Sequence, residues 1–285
     1  MKIAFLGLGR MGRVLATLLL TDGQDLTVWN RTAAATDELV RQGARPASTA
    51  PDAVVGADAV VTVLFGPDAV RDVVTDAGLP IGAGALWIDI TTVAPADTVE
   101  FARWAETRQV RYVHAPVVGS LGPARSRTLG VLLGGPDDAV ALARTIVSSW
   151  ADPARLRTFD TPGKAATAKL VANLSLAVAM QGLLEALRLG RSGGLSTEEV
   201  LTGLDHTVLS GIKDVKGDSV LHERFDDTQF SANLLGKDAL LMTHTSRFPL
   251  PALSAAFESL EVARRNGHGE DDFAVIASQA AWPVP

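Results

Sequence analysis

The chain has 285 residues, 47% hydrophobic and 20% charged, with a net charge of −6 and a pI near 5.4. That acidic balance argues against a nucleic-acid or anionic-membrane partner, and the length suits two domains better than one. The sequence has no cysteine, so disulfides, thiol catalysis and Cys-ligated metals are excluded.

The opening stretch MKIAFLGLG is not expected to be a signal peptide, because its apolar run is short and glycines interrupt it. No window is expected to reach the roughly 18 apolar residues of a membrane span; the charge-free run 170–184 comes nearest and falls short. The expectation is a soluble cytoplasmic protein. Compact apolar runs predict strands at 2–6, 26–30, 59–64, 86–90, 110–116 and 130–135. Helical patterns fill 10–22, 33–41, 67–74, 95–108 and 137–149 between them. Continuous apolar strands separated by helices imply a mainly parallel sheet covered on both faces.

The strand signals stop at Thr161-Pro162-Gly163. Helices follow at 164–191, 196–206, 232–246, 251–266 and 271–280. Ser196 and Glu199 have capping-box spacing, and Pro251 suits a helix start. The predicted fold is α/β: a Rossmann-type, doubly wound, mainly parallel sheet over 1–162. An all-α domain over 163–285 follows, entered by a long helix.

GLGRMG, the residues Gly7, Leu8, Gly9, Arg10, Met11 and Gly12, follows the first strand and opens a helix. The three glycines suit a tight turn, backbone approach to a pyrophosphate, and close helix–strand packing. The helix N-terminus adds N–H groups for the phosphates. An NAD site usually carries a carboxylate about 20 residues on. Here the second strand ends in Asn30, Arg31 and Thr32. Either Arg31 pairs with a 2′-phosphate, with Asn30 and Thr32 adding hydrogen bonds, or it is a solvated turn residue. The first reading makes the cofactor NADP(H).

Ligands of open α/β sheets lie beyond the carboxyl ends of the strands. Leu64 and Phe65 follow the third strand and are candidates for the cofactor wall. Thr91 and Thr92 follow the fourth, where they either face a substrate or cap a helix. In the segment 114–126, Gly119 and Gly122 permit close backbone approach and Ser120 offers a hydroxyl; a plain loop explains them equally.

Lys169 and Asn173 are four residues apart in the long apolar helix, so they share a face. A lysine there must snorkel out, find a carboxylate or face a polar cavity. In a cleft beside a nicotinamide, desolvation would lower its pKa and make it a general acid.

At this point the chain resembles the β-hydroxyacid dehydrogenase family. The likeness rests on seven segments in the family's order: FLGLGRMG, VTVLFGPDAV, DITTVAP, HAPVVGSLGPARSRTLGVLLGG, GKAATAKLVANLSLAVAMQGLLEAL, FSANLLGKDALLM and GHGEDDFAVI. The second-strand ending and the Gly119-Ser120 pair resemble the NADPH-linked glyoxylate/succinic semialdehyde reductase branch. The resemblance implies that Lys169 is catalytic, Asn173 holds substrate, and Thr92 lies beside nicotinamide and substrate. It also implies that Phe230 and Asp238 line the active site, that Lys237 lies near the cofactor, and that the long helix buries its apolar face in a homodimer.

Two positions depart from the family. Val118 stands where the family's Pro-Val-Ser-Gly loop has serine, and His114 where an acid is frequent. Losing a hydroxyl donor to an anionic substrate costs roughly 1–3 kcal/mol, which favours a more apolar carbonyl, or an imine, against small hydroxy acids. The leading expectation is NADPH-dependent reduction of a small aldehyde or ketone, with Val118, Gly119 and Ser120 at the substrate. The alternatives are an imine reductase and a non-catalytic NADP-binding protein. The five histidines show no ligand spacing, so no metal is expected.

Overall fold

The alternating strand and helix runs of the first half build a single sheet flanked by helices. The structure is a computed structural model that describes residues 1–278. In chain order the α/β half comprises β1 (Lys2–Leu6), α1 (Arg10–Thr21), β2 (Asp25–Trp29), α2 (Asp37–Arg41), β3 (Arg45–Pro46), α3 (Ala50–Val54), β4 (Ala59–Thr62), α4 (Pro67–Val70) and β5 (Leu86–Asp89). It continues with α5 (Pro95–Glu106), β6 (Arg111–His114), β7 (Val117–Val118), α6 (Leu121–Arg125), β8 (Leu129–Gly134), α7 (Asp137–Val147) and β9 (Ala151–Phe159). The strand order is β3-β2-β1-β4-β5-β6-β8-β7, with β9 on β8. Strands β1 to β6 pair in parallel, whereas β8 runs antiparallel to β6 and β7.

Side chains alternate between the two faces of a strand, and here both faces are core. Ile3, Phe5, Val61 and Ile88 enter one apolar cluster. Their neighbours Ala4, Leu6, Val60 and Trp87 enter the other. This double burial explains the unbroken apolar runs. The strand order reverses between β2 and β4 around β1, so the glycine turn after β1 sits at the topological switch point, where open α/β sheets bind ligands.

The second half comprises α8 (Pro162–Ser192), α9 (Thr197–Gly203), α10 (Ser210–Leu221), α11 (Ala232–Thr245) and α12 (Pro251–Arg265). The capping box at α9 forms: Ser196 Oγ accepts the Glu199 N–H at 3.2 Å, and the Glu199 carboxylate accepts the Ser196 N–H at 2.8 Å. These bonds hold the Glu199 carboxyl below its usual range, the backbone bond most strongly. The chain forms two compact units, Met1–Leu170 and one that begins at Val171, so α8 opens in the first and continues into the second.

Four expectations change. The predicted helix 33–41 is a 3-10 turn, Ala33–Thr36, followed by the short α2. The predicted helix 271–280 is a 3-10 turn at Phe273–Ala277, capped by Asp272, and its last two residues lie outside the described ones. Strand β9 and helix α10 were not among the predicted elements. Finally, α8 does meet a length and mean-hydropathy criterion for a membrane span, at 1.6, because that measure counts an alanine-rich stretch as apolar. Its window is 39% buried inside this chain, and its buried Asn173 is hydrogen-bonded to Asp238, as in a helix packed on protein.

Candidate active site

The glycines of the first turn do three different jobs. Gly7 has φ +98°, and a Cβ there would stand 2.2 Å from the Val63 carbonyl oxygen. A Cβ at Gly12 would stand 2.1 Å from the Gly7 carbonyl oxygen. Both positions therefore exclude a side chain by contact with the protein's own backbone. Gly9 differs: its φ is −66°, and a Cβ would meet nothing within 4 Å. No protein contact demands glycine at position 9, which is what a cradle for a ligand's pyrophosphate requires. Gly9 caps α1, whose first turn holds no acidic residue, so its N–H groups and dipole favour a phosphate. The residues thus fit a dinucleotide. Arg10 is exposed and Met11 half-buried in that turn.

At the end of β2, Asn30 latches the glycine turn. Its Oδ1 accepts the Leu8 N–H at 2.9 Å, and its Nδ2 donates to the Thr32 carbonyl at 3.0 Å. The side chain expected to add a hydrogen bond beside Arg31 is thereby mainly committed to holding the turn. Arg31 and Thr32 are exposed.

After β4, Leu64 is half-buried and the Phe65 ring is 58% exposed. After β5, Thr91 and Thr92 separate in role. Helix α5 is capped at Ala94, whose N–H is accepted by Asp97 at 2.8 Å, so neither threonine caps it. Thr91 is buried and its Oγ1 accepts the Leu64 N–H at 3.0 Å, which joins the two loops. Thr92 is half-buried beside it. After β6, the strand β7 pairs Val118 with Gly130, and Val118 packs where a Gly130 side chain would start. Gly119 has φ +133°, and a Cβ there would crowd Leu129 at 2.7 Å. Ser120 precedes α6 without capping it through its side chain.

Helix α8 carries Lys169, half-buried, and one turn later Asn173, buried. In the second unit, Asn173 Nδ2 donates to Asp238 Oδ2 at 2.6 Å. Lys237 Nζ donates to the other Asp238 oxygen at 2.6 Å. The buried Asp238 carboxylate is thus met on both oxygens, which fixes the Asn173 amide with its nitrogen toward the carboxylate. Phe230 is half-buried, its ring edge-on to Phe273 with centroids 6.1 Å apart. Its N–H is accepted by Asp272 at 3.3 Å, and Asp272 is paired at 2.8 Å with the buried Lys216. Sequence reasoning missed Asp272 and Lys216. The signal was a lysine at helical spacing between Ile212 and Val220 on the buried face of α10.

Residues 2–161 match the family described as the NAD binding domain of 6-phosphogluconate dehydrogenase. Residues 163–279 match that described as the NAD-binding domain of NADP-dependent 3-hydroxyisobutyrate dehydrogenase. The chain belongs to the β-hydroxyacid dehydrogenase family. Like the family, it is a nicotinamide-dependent oxidoreductase by class.

Among β-hydroxyacid dehydrogenase relatives, the chain is 31% identical to the NAD-dependent L-serine dehydrogenase of Pseudomonas aeruginosa, over 96% of each chain. It is 29% identical to glyoxylate/succinic semialdehyde reductase 1 of Arabidopsis thaliana, over 97% of each. The solved 3-hydroxyisobutyrate dehydrogenase of Mycobacterium tuberculosis, with L-serine, superposes with a TM-score of 0.84 at 25% identity, over 97% of each chain.

Proposed function

We propose that the protein is an NADPH-dependent reductase of small aldehydes or ketones, with Lys169 as the general acid. The observation that carries this reading is the pairing of Lys169 and Asn173 one turn apart on α8, with the Asn173 amide fixed by Asp238, in a chain whose first unit has a dinucleotide turn. A bound nicotinamide cofactor supplies the hydride to the carbonyl carbon. Lys169 Nζ delivers a proton to the carbonyl oxygen as its π-electron pair becomes a lone pair, and the product is an alcohol. In the reverse direction the lysine takes the hydroxyl proton. The family resemblance assigns Asn173, Thr92 and the Val118–Ser120 backbone to the substrate, Phe230 to its wall and Lys237 to the cofactor.

The preference for NADPH rests on the exposed Arg31, which follows Asn30, the residue standing where an NAD site has a carboxylate. Arg31→Ala should raise the KM for NADPH about tenfold, the worth of one lost charge-assisted pair, and leave that for NADH unchanged. Equal effects on both cofactors would remove the argument for NADPH.

The substrate reading turns on Val118. A panel of NADPH oxidation assays with glyoxylate, succinic semialdehyde, an uncharged aldehyde and a cyclic imine tests the function. Turnover of a carbonyl is expected, with the uncharged aldehyde preferred. Turnover of the imine alone would make the protein an imine reductase, and cofactor binding without turnover a non-catalytic binder. Val118→Ser should gain roughly tenfold in kcat/KM on the carboxylated aldehydes, one added hydrogen bond to a charged group; no gain removes the specificity role of this position.

Exposed positions 171, 175, 185 and 189 form one stripe on α8, with Val171 59% and Leu189 76% exposed. We assign this stripe to a homodimer contact, and a monomeric mass in sedimentation at micromolar concentration would contradict it.

A further inference from the structure

The sheet ends, at its carboxyl edge, in a row of three polar residues that the proposed chemistry does not use. Register places Thr62 beside Asp89 and Asp89 beside His114 on adjacent strands. In-register residues of neighbouring parallel strands point to one face. All three side chains are fully buried. Leu6 continues the row beside Thr62. Each member is the last paired residue before a loop: the glycine turn after Leu6, Leu64–Phe65 after Thr62, Thr91–Thr92 after Asp89, and Pro116–Ser120 after His114.

Asp89 is the hub of this row. Its Oδ1 accepts the Thr62 hydroxyl at 2.8 Å and the Thr91 N–H at 3.1 Å. Thr62 in turn accepts the Trp87 indole N–H at 3.0 Å. Thr91 passes the constraint on, since its hydroxyl accepts the Leu64 N–H at 3.0 Å. On the other side, Asp89 Oδ2 faces His114 Nδ1 at 3.6 Å, a few tenths of an ångström beyond a hydrogen bond. Burial first, and then the charge of Asp89, push the Tyr112 phenol well above its usual range, so the group beside His114 on the same strand stays neutral. A carboxylate is an expensive group to bury. An apolar residue would fill the same space at less cost if packing were the only requirement.

We propose that Asp89 is a positioning residue of the active site: its buried carboxylate, through the Thr91 N–H and the Thr91 hydroxyl, sets Thr91–Thr92 against Leu64–Phe65. Asp89 is fully buried, and its role is through the loops rather than on a ligand. The inference rests on the reading of those loops as the cofactor and substrate walls given above.

The test compares Asp89→Leu, Asp89→Asn and Thr91→Val in the full chain, with Lys169→Met alongside. The readouts are kcat and KM for the best carbonyl of the panel, NADPH affinity by fluorescence, and Tm. Asp89→Leu removes the acceptor and should lower kcat about 100-fold, the scale of an ångström of misplacement, with NADPH affinity changed less. Asp89→Asn keeps an acceptor at Oδ1 and should retain kcat within about threefold, a rescue expected when geometry rather than charge is at stake. Thr91→Val keeps the shape, breaks the link to Leu64, and should cost about tenfold in kcat; it decides the matter if Asp89→Leu does not fold. Wild-type kcat in a folded Asp89→Leu or Thr91→Val protein overturns the inference, as does an Asn variant as damaged as the Leu one. Full turnover by Lys169→Met instead removes the underlying reading of the site, so the two failures are distinguishable.

Discussion

Replacing Lys169 by Met abolishes most turnover, with kcat reduced by 10² to 10⁴-fold, the range of a general acid's contribution (roughly 3–5 kcal/mol). NADPH affinity stays near wild type. Met is chosen because it is unbranched, similar in length and a good helix former, so α8 keeps its packing while the proton donor disappears. Lys169 is half-buried within a helix that is continuous from Pro162 to Ser192, which gives the substitution little reason to disturb the fold. Steady-state NADPH oxidation, paired with a fluorescence titration of the cofactor, separates loss of chemistry from loss of binding. A variant with wild-type kcat rules out the general-acid role. A variant that loses cofactor affinity in step with activity reassigns Lys169 to binding.

The glycine turn gives the second large effect, and there the contrast between two alanines matters more than either alone. In Gly12→Ala the new Cβ stands 2.1 Å from the Gly7 carbonyl oxygen, a backbone atom that cannot rotate away. Either α1 or the turn must shift, at a cost of about 1–3 kcal/mol in stability, and NADPH affinity falls with the displaced turn. In Gly9→Ala the Cβ meets no protein atom within 4 Å, and φ of −66° suits alanine. Stability should therefore stay within about 0.5 kcal/mol of wild type. NADPH affinity should nonetheless fall about 100-fold, because the methyl enters the path expected for the pyrophosphate. Thermal melts and cofactor titrations of both variants read the difference. A Gly9→Ala protein that binds NADPH normally would mean that the dinucleotide does not cross this turn.

The parts of the fold legible in the sequence are those where burial and periodicity agree. β1, β4 and β5 are apolar on both faces because both faces are core, and they stand out as unbroken runs. Strand β9 did not, because it lies at an edge: Pro153 interrupts it, and Arg155 and Arg157 face solvent. Helix α10 was hidden by its own core, since the buried stripe Ile212, Lys216, Val220 has a lysine at its centre. The distant Asp272 makes that lysine tolerable, and a partner 56 residues away leaves no local pattern. The buried run Phe273–Ala277 imitated a helix because all five residues are covered, which gives an apolar stretch whatever the backbone does.

The candidate site divides in the same way. Lys169 and Asn173 were legible because a fixed helical spacing puts them on one face. The glycine fingerprint was legible because its spacing is fixed: Gly7 and Gly12 answer local backbone demands, and Gly9 leaves room for a ligand. What the sequence could not show was the second function of Asn30, whose amide holds Leu8, or the row through Thr62, Asp89 and His114. Both depend on which strands lie side by side and in what register. The question of whether Thr91 and Thr92 cap a helix also needed the structure: Ala94 occupies that position, and Thr91 is engaged with Leu64 instead.

The central claim, hydride delivered to a carbonyl carbon from NADPH in a protein that uses Lys169 for the proton, is tested most directly by isotope transfer. NADPH carrying deuterium at the transferable position is incubated with the wild-type protein and the preferred aldehyde, and the product is examined by mass spectrometry. The account predicts one deuterium on the alcohol carbon, formed by the wild-type protein and nearly absent with Lys169→Met. An alcohol without deuterium, deuterium appearing only in the amine from a cyclic imine, or equal transfer by the Lys169→Met protein would contradict it.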